Sequence, residues 1–349
     1  MTLVRTTLRT TLRVIGVVLL AVACSNGATT ATPPAPSSSA TSATSPPTAP
    51  ATTTTTPPAP SPAWQGRTAA PTARQEVAST VADGRVWVIG GLTAAGASAV
   101  VESYDPAGDR WAPGPPLPVA LHHASAASYL GEIVVMGGFQ AAGSLYDRPS
   151  DRVLALRAGA WVDLPRLRRP RGAGAAAVVG DLLVLAGGRN GAALIGPTEI
   201  FDGSDWRDAE AIPTRRDHLS AASDGRSLFT VGGRFLSPGA LSAALERFDP
   251  ASGAWERLPA MPTARGGQGA AMSGGNRLVV VGGEDPSGVY AEVEAYDVAS
   301  QRWTALPPMP SPRHGMAVER VGAQVLALGG GTAYGVAPSA VAEALVPLS

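Results

Sequence analysis

Arginine recurs at one place in most repeats of this chain. We call this place the arginine slot, and its six positions are Arg74, Leu121, Arg171, Arg216, Arg265 and Arg313. Guanidinium groups bind carboxylate, sulfate and phosphate groups through paired hydrogen bonds. Converging slot side chains could therefore hold an anionic ligand. The alternative is that each guanidinium ties loops together through backbone carbonyl groups, and the sequence leaves both possibilities open.

Further arginines near the third and fourth slot positions do not recur elsewhere: Arg168, Arg169, Arg189, Arg215 and Arg234. Residues that repeat with a fold usually belong to its scaffold, so residues that break the repeat favour function. We expect Arg189, Arg215 and Arg234 to contribute to a ligand-binding surface, together with Asp217 and Glu284.

All four histidines lie beside the slot: His122, His123, His218 and His314. They come from the second, fourth and sixth repeats, so a three-histidine metal site is conceivable. Packing of the imidazoles against the first strands is the favoured alternative, and we expect no metal and no cofactor.

Residue types exclude several reactions. The chain has one cysteine, Cys24, and contains no lysine, which excludes Schiff-base chemistry through lysine. No Ser-His-Asp spacing and no phosphate-binding loop is present.

Six glycine pairs organise these candidate residues. Each pair closes a short apolar run, and the first glycines are 47, 50, 45, 50 and 47 residues apart: Gly90, Gly137, Gly187, Gly232, Gly282 and Gly329. A period of this length predicts a repeat architecture whose units stack to bury their faces. Turn signals divide each unit into four short antiparallel strands.

These units resemble the kelch repeat. Its marks are the glycine pair, a Tyr-Asp step such as Tyr104-Asp105, and a tryptophan downstream such as Trp111. The resemblance implies an all-β, six-bladed β-propeller over residues 63–349. The periodic tryptophans are expected to pack between blades. Trp64 is in phase with Trp111, so the N-terminal segment at about residues 63–67 is predicted to complete the last blade.

In kelch propellers, the slot region and the loops after the glycine pairs form the face that usually binds ligands. The resemblance therefore implies a ligand-binding face, for which the candidates are Arg74, Arg171, Arg189, Arg215, Arg216, Asp217, His218, Arg234, Arg265, Glu284, Arg313 and His314. The ligand could be a protein, a peptide or an anionic glycan.

An enzyme acting on sugars is the alternative. Galactose-oxidase-like kelch enzymes need a Tyr–Cys crosslink, and the predicted propeller contains no cysteine. Sialate-mutarotase-like kelch proteins use a pocket of basic and acidic residues, which Arg216, Arg234, Asp217, Glu284 and His218 could form, with an acid–base pair assisting ring opening.

The N-terminus predicts a lipoprotein. Residues 1–23 combine a basic region (Arg5, Arg9, Arg13) with a short apolar stretch, as in a cleaved signal. Ala21-Val22-Ala23-Cys24 resembles a bacterial lipobox, although leucine stands four rather than three residues before the cysteine. An ordinary secretory signal is the alternative. Residues 24–62 begin with the lipidated cysteine and continue as a tether of mainly Ser, Thr, Ala and Pro, predicted to be disordered.

Charge adds one exclusion. The chain has 27 arginines and 27 acidic residues, and removal of the signal leaves 24 against 27, or −3. This balance does not favour nucleic acid binding.

Together, these sequence features lead us to expect a monomeric, non-catalytic binding module, lipid-anchored through Cys24 on the extracytoplasmic face of a bacterial membrane.

Overall fold

Every regular element that the computed structural model describes is a β-strand. The described residues are 61–140, 145–274 and 276–348, so the predicted signal and all but the last two residues of the predicted tether lie outside them. Within these ranges, no helix is long and apolar enough to cross a membrane. Six four-stranded antiparallel sheets correspond to the six predicted repeats, which confirms the six-bladed propeller.

The chain enters with β1 and then builds the first three blades in order. β1 is Ala63–Gly66; blade 1 has β2 (Ala78–Ala82), β3 (Arg85–Ile89), β6 (Val101–Asp105) and β7 (Arg110–Pro113), with the short pair β4 (Leu92–Thr93) and β5 (Gly96–Ala97) between β3 and β6. Blade 2 has β8 (Ser125–Tyr129), β9 (Glu132–Met136), β10 (Val153–Arg157) and β11 (Ala160–Leu164). Blade 3 has β12 (Gly172–Val179), β13 (Leu182–Arg189), β14 (Pro197–Phe201) and β15 (Trp206–Ala211).

The last three blades repeat this arrangement. Blade 4 has β16 (Ser220–Ser223), β17 (Leu228–Val231), the pair β18 (Arg234–Phe235) and β19 (Ser237–Leu241), β20 (Leu245–Asp249) and β21 (Ala254–Leu258). Blade 5 has β22 (Gly269–Ser273), β23 (Arg277–Val281), the pair β24 (Glu284–Asp285) and β25 (Gly288–Val289), β26 (Val293–Asp297) and β27 (Arg302–Leu306). Blade 6 has β28 (Ala317–Val321), β29 (Gln324–Leu328) and β30 (Ala342–Val346).

The N-terminal strand closes the ring. β1 pairs antiparallel with β30, with Ala63 opposite Val346 and Gly66 opposite Glu343. The indole of Trp64 also donates a 2.8 Å hydrogen bond to the carbonyl of Pro307, in blade 5. The predicted fourth strand of the last blade is thus confirmed, and blade 6 is completed from both ends of the propeller sequence.

The tryptophans pack between blades, as predicted. The indoles of Trp161, Trp206 and Trp303 each donate to a proline carbonyl at the end of the preceding blade, at 2.9 Å. Apolar clusters also cross blade boundaries; one joins Val279 and Val281 of blade 5 to Val325 and Leu345 of blade 6. Burying one such side chain contributes about 1.5–3 kcal/mol, so each blade is stabilised mainly by its neighbours.

The glycine pairs allow adjacent blades to approach closely. The amide of Gly91 donates to the carbonyl of Leu121, the slot residue of the next blade, at 2.8 Å. A Cβ atom at Gly90 would lie 2.4 Å from the same carbonyl oxygen, and both glycines have positive φ angles. The other five pairs make the same contact with the next slot residue. The period seen in the sequence is therefore the period of blade-to-blade backbone contacts.

Candidate functional site

The slot arginines are buried in ion pairs with the third strands. Each pairs with a glutamate of the same blade: Arg74–Glu102, Arg171–Glu199, Arg216–Glu246, Arg265–Glu294 and Arg313–Glu343. At most 1% of the surface of each arginine is exposed, and the guanidiniums also donate to backbone carbonyls such as that of Gly90. This arrangement favours the structural alternative for the slot.

Blade 2 lacks both members of this pair. Leu121 takes the arginine position, and Leu154 takes the position of the glutamate on the third strand, as the second residue of β10. Both leucines are buried and belong to one apolar cluster. An ion pair and an apolar pair thus occupy equivalent buried sites, which is physically reasonable because well-packed apolar residues often replace a buried ion pair without loss of stability.

A ring of six residues closes the propeller axis two positions after the slot. We call it the axial ring: Glu76, His123, Ala173, His218, Gly267 and Gly315. All six have positive φ angles, between 50° and 66°. Backbone N–H groups link the ring residues in turn, for example His123 to Glu76 at 2.9 Å and Ala173 to His123 at 2.8 Å, and Val77 completes the circle by donating to Gly315.

The axial ring holds non-glycine residues in a costly conformation. A left-handed backbone costs a non-glycine residue about 1–3 kcal/mol and tends to occur at functional sites. Glu76, His123 and His218 project the large side chains, and the small ring residues make room for them: a Cβ atom at Gly315 would lie 2.7 Å from Cδ of Glu76. The sequence therefore concentrates three ionisable side chains at the axis.

Glu76 is central to this group. Its Oε2 lies 3.2 Å from His123 Nε2, and its Oε1 lies 3.1 Å from His314 Nδ1. Glu284 Oε2 is 3.5 Å from the same His314 nitrogen. All four residues are buried, and they come from blades 1, 2, 5 and 6. We call them, with His218 and Arg234 of blade 4, the axial cluster.

Arg234 connects the cluster to blades 2, 3 and 4. Its guanidinium donates to Glu284 Oε1 at 3.0 Å, to the hydroxyl of Tyr146 at 2.8 Å and to His218 Nε2 at 2.6 Å. Asp217 Oδ1 bonds the other nitrogen of His218, Nδ1, at 2.6 Å. Arg189 lies 3.4 Å from Asp217 and stacks 4.3 Å over the ring of Tyr146.

One pairing rule brings these residues together. In every blade the residue after the glycine pair forms a β-bridge with the residue after the slot, as in Asp217–Arg234 and Gly266–Glu284. Blades 1, 2 and 4 place two neighbouring side chains at this bridge, whereas blades 3, 5 and 6 place one side chain beside a glycine. The repeated glycine pairs are scaffold, and the variable residues beside them form the site.

Burial and charge together set the protonation of the cluster. Burial opposes the ionised form of Glu76, but His123, His314 and His218 hold the pKa of this carboxyl well below its usual value. Burial likewise opposes a charged His314, yet Glu76 and Glu284 raise the pKa of its imidazole. Burial lowers the pKa of His123 strongly and that of His122 to about 4. These directions favour an ionised Glu76 beside a protonated His314, whereas burial favours the neutral form of His123.

The cluster contains two sets of metal-type ligands, Glu76–His123–His218 and Glu76–Glu284–His314. Neither set contains more than two histidines, so among the described residues His123, His218 and His314 do not form the single three-histidine ligand set of the hypothesis. Moreover, the guanidinium of Arg234 bonds both His218 Nε2 and Glu284. A cation already satisfies these groups, so the donor arrangement fits an ion-pair network better than a metal centre.

The other arginines of blades 3 and 4 do not converge with the cluster. Arg168 and Arg169 pair with Asp208 on β15, and Arg215 is exposed on a different segment, beside Gly196. Of the predicted binding residues, the structure brings together Arg189, Asp217, His218, Arg234, Glu284 and His314. Sequence reasoning missed Glu76 and Tyr146, although Glu76 stands at the same distance from the slot as His123 and His218.

Two cavities meet at the axial ring. The upper pocket, of about 110 Å³, lies on the loop side, with Glu76, His123, Arg234, Glu284 and His314 among its lining residues. The central channel, of about 440 Å³, lies on the other side of the ring and is lined by the first strands. Glu76 and His123 line both cavities.

Exposed apolar side chains lie on two of the loops that form the upper pocket. Among the described residues, the exposed large apolar side chains are Leu130, Phe235, Leu236, Tyr334 and Val336. All but Leu130 belong to the loops after the glycine pairs of blades 4 and 6, and Tyr334 and Val336 line the pocket itself. We call Phe235, Leu236, Tyr334 and Val336 the apolar rim.

Comparison with known proteins identifies the family. The Kelch motif model matches residues 73–118, and the KLHDC2/KLHL20/DRC7 Kelch-repeats domain model matches residues 198–330. The chain is a kelch-repeat protein. Two kelch relatives are Kelch-like protein terF of Aspergillus terreus, 28% identical over 58% of this chain and 48% of that protein, and human Kelch domain-containing protein 8B, 32% identical over 41% and 44%. The chain spans about half the length of the curated relatives it matches.

A solved structure supports the propeller assignment. The structure of YjhT superimposes with a TM-score of 0.68 over 79% of this kelch chain and 96% of YjhT, at 16% identity. At this identity the likeness concerns the fold.

Proposed function

We propose that this kelch propeller is a non-catalytic binding module that docks a protein or peptide on its loop face. The observation that carries the proposal is the apolar rim. Exposed apolar side chains beside a concave polar site are typical of interaction surfaces. Here Tyr334 and Val336 line the upper pocket together with residues of the axial cluster, and Phe235 and Leu236 directly follow Arg234 of that cluster. Kelch propellers also commonly bind proteins.

The charges of the pocket favour a polypeptide over an anionic glycan. The slot arginines form ion pairs with buried glutamates, and Arg234 is paired with Glu284. No free group of guanidiniums is left among the described pocket residues to receive a sulfate or carboxylate. The pocket of about 110 Å³ is below the roughly 300 Å³ typical of small-molecule sites, but it suits the tip of one polar side chain.

Peptide selection tests this proposal. A displayed random-peptide library is panned against the full-length protein, and selected peptides are measured against variants of the rim. Phe235→Asp and Tyr334→Ala are expected to weaken binding at least tenfold, because central aromatic anchors carry most of the energy of such interfaces. Leu130→Asp is the matched control, since Leu130 is 72% exposed but lies in the β8–β9 turn. Equal binding by all three variants would contradict the docking face.

A sugar-acting enzyme is the second candidate. The observation favouring it is the Glu76–His123 contact of 3.2 Å, an acid–base pair that borders both cavities. Arg216, one of the residues considered for such a pocket, is committed to Glu246. Nuclear magnetic resonance of monosaccharide anomers, including a sialic acid, would reveal accelerated interconversion that Glu76→Gln abolishes. Anomer exchange at the uncatalysed rate would leave the binding module as the function.

The proposed setting is the extracytoplasmic face of a bacterial membrane, with the propeller held by a lipid on Cys24. The basis is the lipobox-like Ala21-Val22-Ala23-Cys24 and the Ser/Thr/Pro/Ala-rich segment after it. Two acyl chains give stable membrane attachment where one is marginal. In cells expressing the Cys24→Ala variant, the protein is expected to lose metabolic fatty-acid labelling and to leave the membrane fraction. Membrane retention without labelling would rule out this anchor.

A further inference from the structure

The central channel has the size of a ligand site, and the proposed function does not use it. Its volume of about 440 Å³ lies within the roughly 300–1,000 Å³ of typical small-molecule sites. It runs along the first strands from the axial ring to their far ends, where Val81, Ser128 and the exposed Arg320 line it. The axial ring closes one end, so a ligand would enter at the end formed by the turns between the first and second strands.

The channel is narrow, and its wall presents backbone groups that can form hydrogen bonds. Each first strand, such as β2 or β16, has a single partner strand in its sheet, so its other edge faces the axis with unpaired backbone groups. The wall side chains are mostly small: Ser79, Ala124, Ala126, Ser128, Ala176, Ala177, Ala221, Ser223 and Ala270. Such a wall suits a slender molecule that can donate hydrogen bonds to carbonyl oxygens.

Glu319 breaks this pattern. The in-phase residues of blades 1 to 5, six positions after the slot, are Thr80, Ala127, Ala177, Ala222 and Ala271. Glu319 lines the channel, and its Oε1 accepts a 2.8 Å hydrogen bond from the Ser79 hydroxyl. None of the ion pairs among the described residues includes Glu319, and its neighbour Arg320 instead donates to the carbonyl of Gly322. A carboxylate in a narrow cavity without a cation is unfavourable, and a cationic ligand would supply the missing charge.

At the closed end of the channel, by contrast, the ionisable side chains pair with one another and with Arg234 and Asp217. The ionisable residues that line it there are Glu76, His123 and His218, and the other lining residues of the channel include one arginine, Arg320, at the open end. Glu319 lies four residues after Gly315, the axial-ring residue of the same blade. At 3.3 Å per residue of extended strand, this separation is about 13 Å along the channel. Glu319 is therefore the carboxylate of the described channel lining that has no cationic partner, and the narrow wall around it favours a linear molecule with an ammonium group.

We propose that the central channel binds a linear alkylamine, entering from the turn end, with an ammonium group paired to Glu319 and bonded to carbonyl oxygens of the first strands. This site is separate from the apolar rim and does not depend on the proposed docking of a peptide. Hydrogen bonds to charged groups are stronger than neutral ones, so charge on the ligand should dominate its affinity.

Titration calorimetry with 1,4-diaminobutane tests the proposal, using the full-length protein at pH 8 and low salt. The neutral analogue 1,4-butanediol is expected not to compete. Glu319→Gln should weaken diamine binding at least tenfold, and Ala221→Leu, which narrows the wall, should weaken it as well. Glu292→Gln, an exposed carboxylate outside the channel, and Tyr334→Ala on the rim should leave it unchanged.

Three results would overturn the channel site: no heat from the diamine at millimolar concentration, unchanged affinity in Glu319→Gln, or equal competition by the diol. Circular dichroism of each variant shows whether the propeller is folded. Because Tyr334→Ala affects only the rim, loss of peptide binding and loss of amine binding are measured separately.

Discussion

Glu76 illustrates how one residue can join several repeats. Its carboxylate contacts His123 of blade 2 and His314 of blade 6, and Glu76 itself lies just before β2 of blade 1. The residue stands in a left-handed conformation that only the surrounding ring maintains. It was not recognised from the sequence because its partners are distant along the chain, and because an isolated glutamate carries no motif.

Substitution of Glu76 should change stability in a pH-dependent way. The pKa of Glu76 is depressed in the folded state, so its contribution is present above its unfolded pKa of about 4.3 and is lost as the pH falls through the folded value. The pKa of His314 is raised, so its contribution is lost as the pH rises through that value. Glu76→Gln should therefore lower Tm most between about pH 5 and 6.5, by roughly 4 °C, as measured by calorimetry. A pH-independent difference would contradict the charged pair.

Glu319 should have the opposite pH dependence. Burial raises its pKa to about 7, so between about pH 4.3 and 7 the folded state retains a proton that the unfolded state has released. The wild-type protein thus loses stability as the pH rises through this range, and Glu319→Gln does not. The Tm of the variant relative to wild type should increase by about 2 °C from pH 5 to pH 8. Glu292→Gln provides the control, and a constant Tm difference would exclude the shifted carboxyl.

At the scale of elements, the Arg–Glu pairs couple the crossing between blades to the third strand. The apolar pair Leu121–Leu154 in blade 2 demonstrates that the same position can be filled without charge. The slot is therefore a buried structural position, which is filled by arginine in five blades and by leucine in blade 2. Because each slot arginine is paired with a glutamate, its guanidinium is not available at the ligand face.

The pairing predicts non-additive mutations in blade 4. Arg216→Leu should destabilise the propeller by about 3–5 kcal/mol, because it leaves the buried Glu246 without its buried cationic partner. Adding Glu246→Leu should recover most of this loss by recreating the blade 2 arrangement. Chemical denaturation of both variants measures the effect, with the exposed Arg226→Leu as the control. A double variant as unstable as the single would show that the pair cannot be replaced in blade 4.

At the scale of the whole molecule, several sequence signals together predicted the fold. The glycine-pair period indicated six repeats, turn signals indicated their strands, the kelch resemblance implied the propeller, and the phase of Trp64 indicated closure by β1. The period was informative because every repeat makes the same local backbone contacts. The site was predicted only in part. Arg189 and Arg234 were singled out because they break the repeat, and His218 and His314 because the histidines lie beside the slot. Arg168, Arg169 and Arg215 are equally irregular and lie elsewhere. Which irregular residues meet at the axis depends on the closed ring, and no local pattern encodes it.

Ring closure can be tested by deletion. Removing residues 61–68 eliminates β1, its pairing with β30 and the Trp64–Pro307 hydrogen bond. Because each blade is stabilised by its neighbours, the loss should lower the Tm of the whole propeller and broaden its unfolding transition in calorimetry. Deleting residues 26–57, in the predicted tether, is the control and should leave the transition unchanged. An unaltered transition after removal of 61–68 would contradict the closure.

The same closure has a mechanical consequence. β1 is the outermost strand of blade 6 and is held to β30 through four residues. Any pulling force transmitted along the N-terminal segment is borne first by this short pairing, before it reaches a complete blade. If the chain is anchored through Cys24 as proposed, tension between the membrane and a bound partner would peel β1 away and open the ring, so the strand that completes the propeller is also where it would first yield under load.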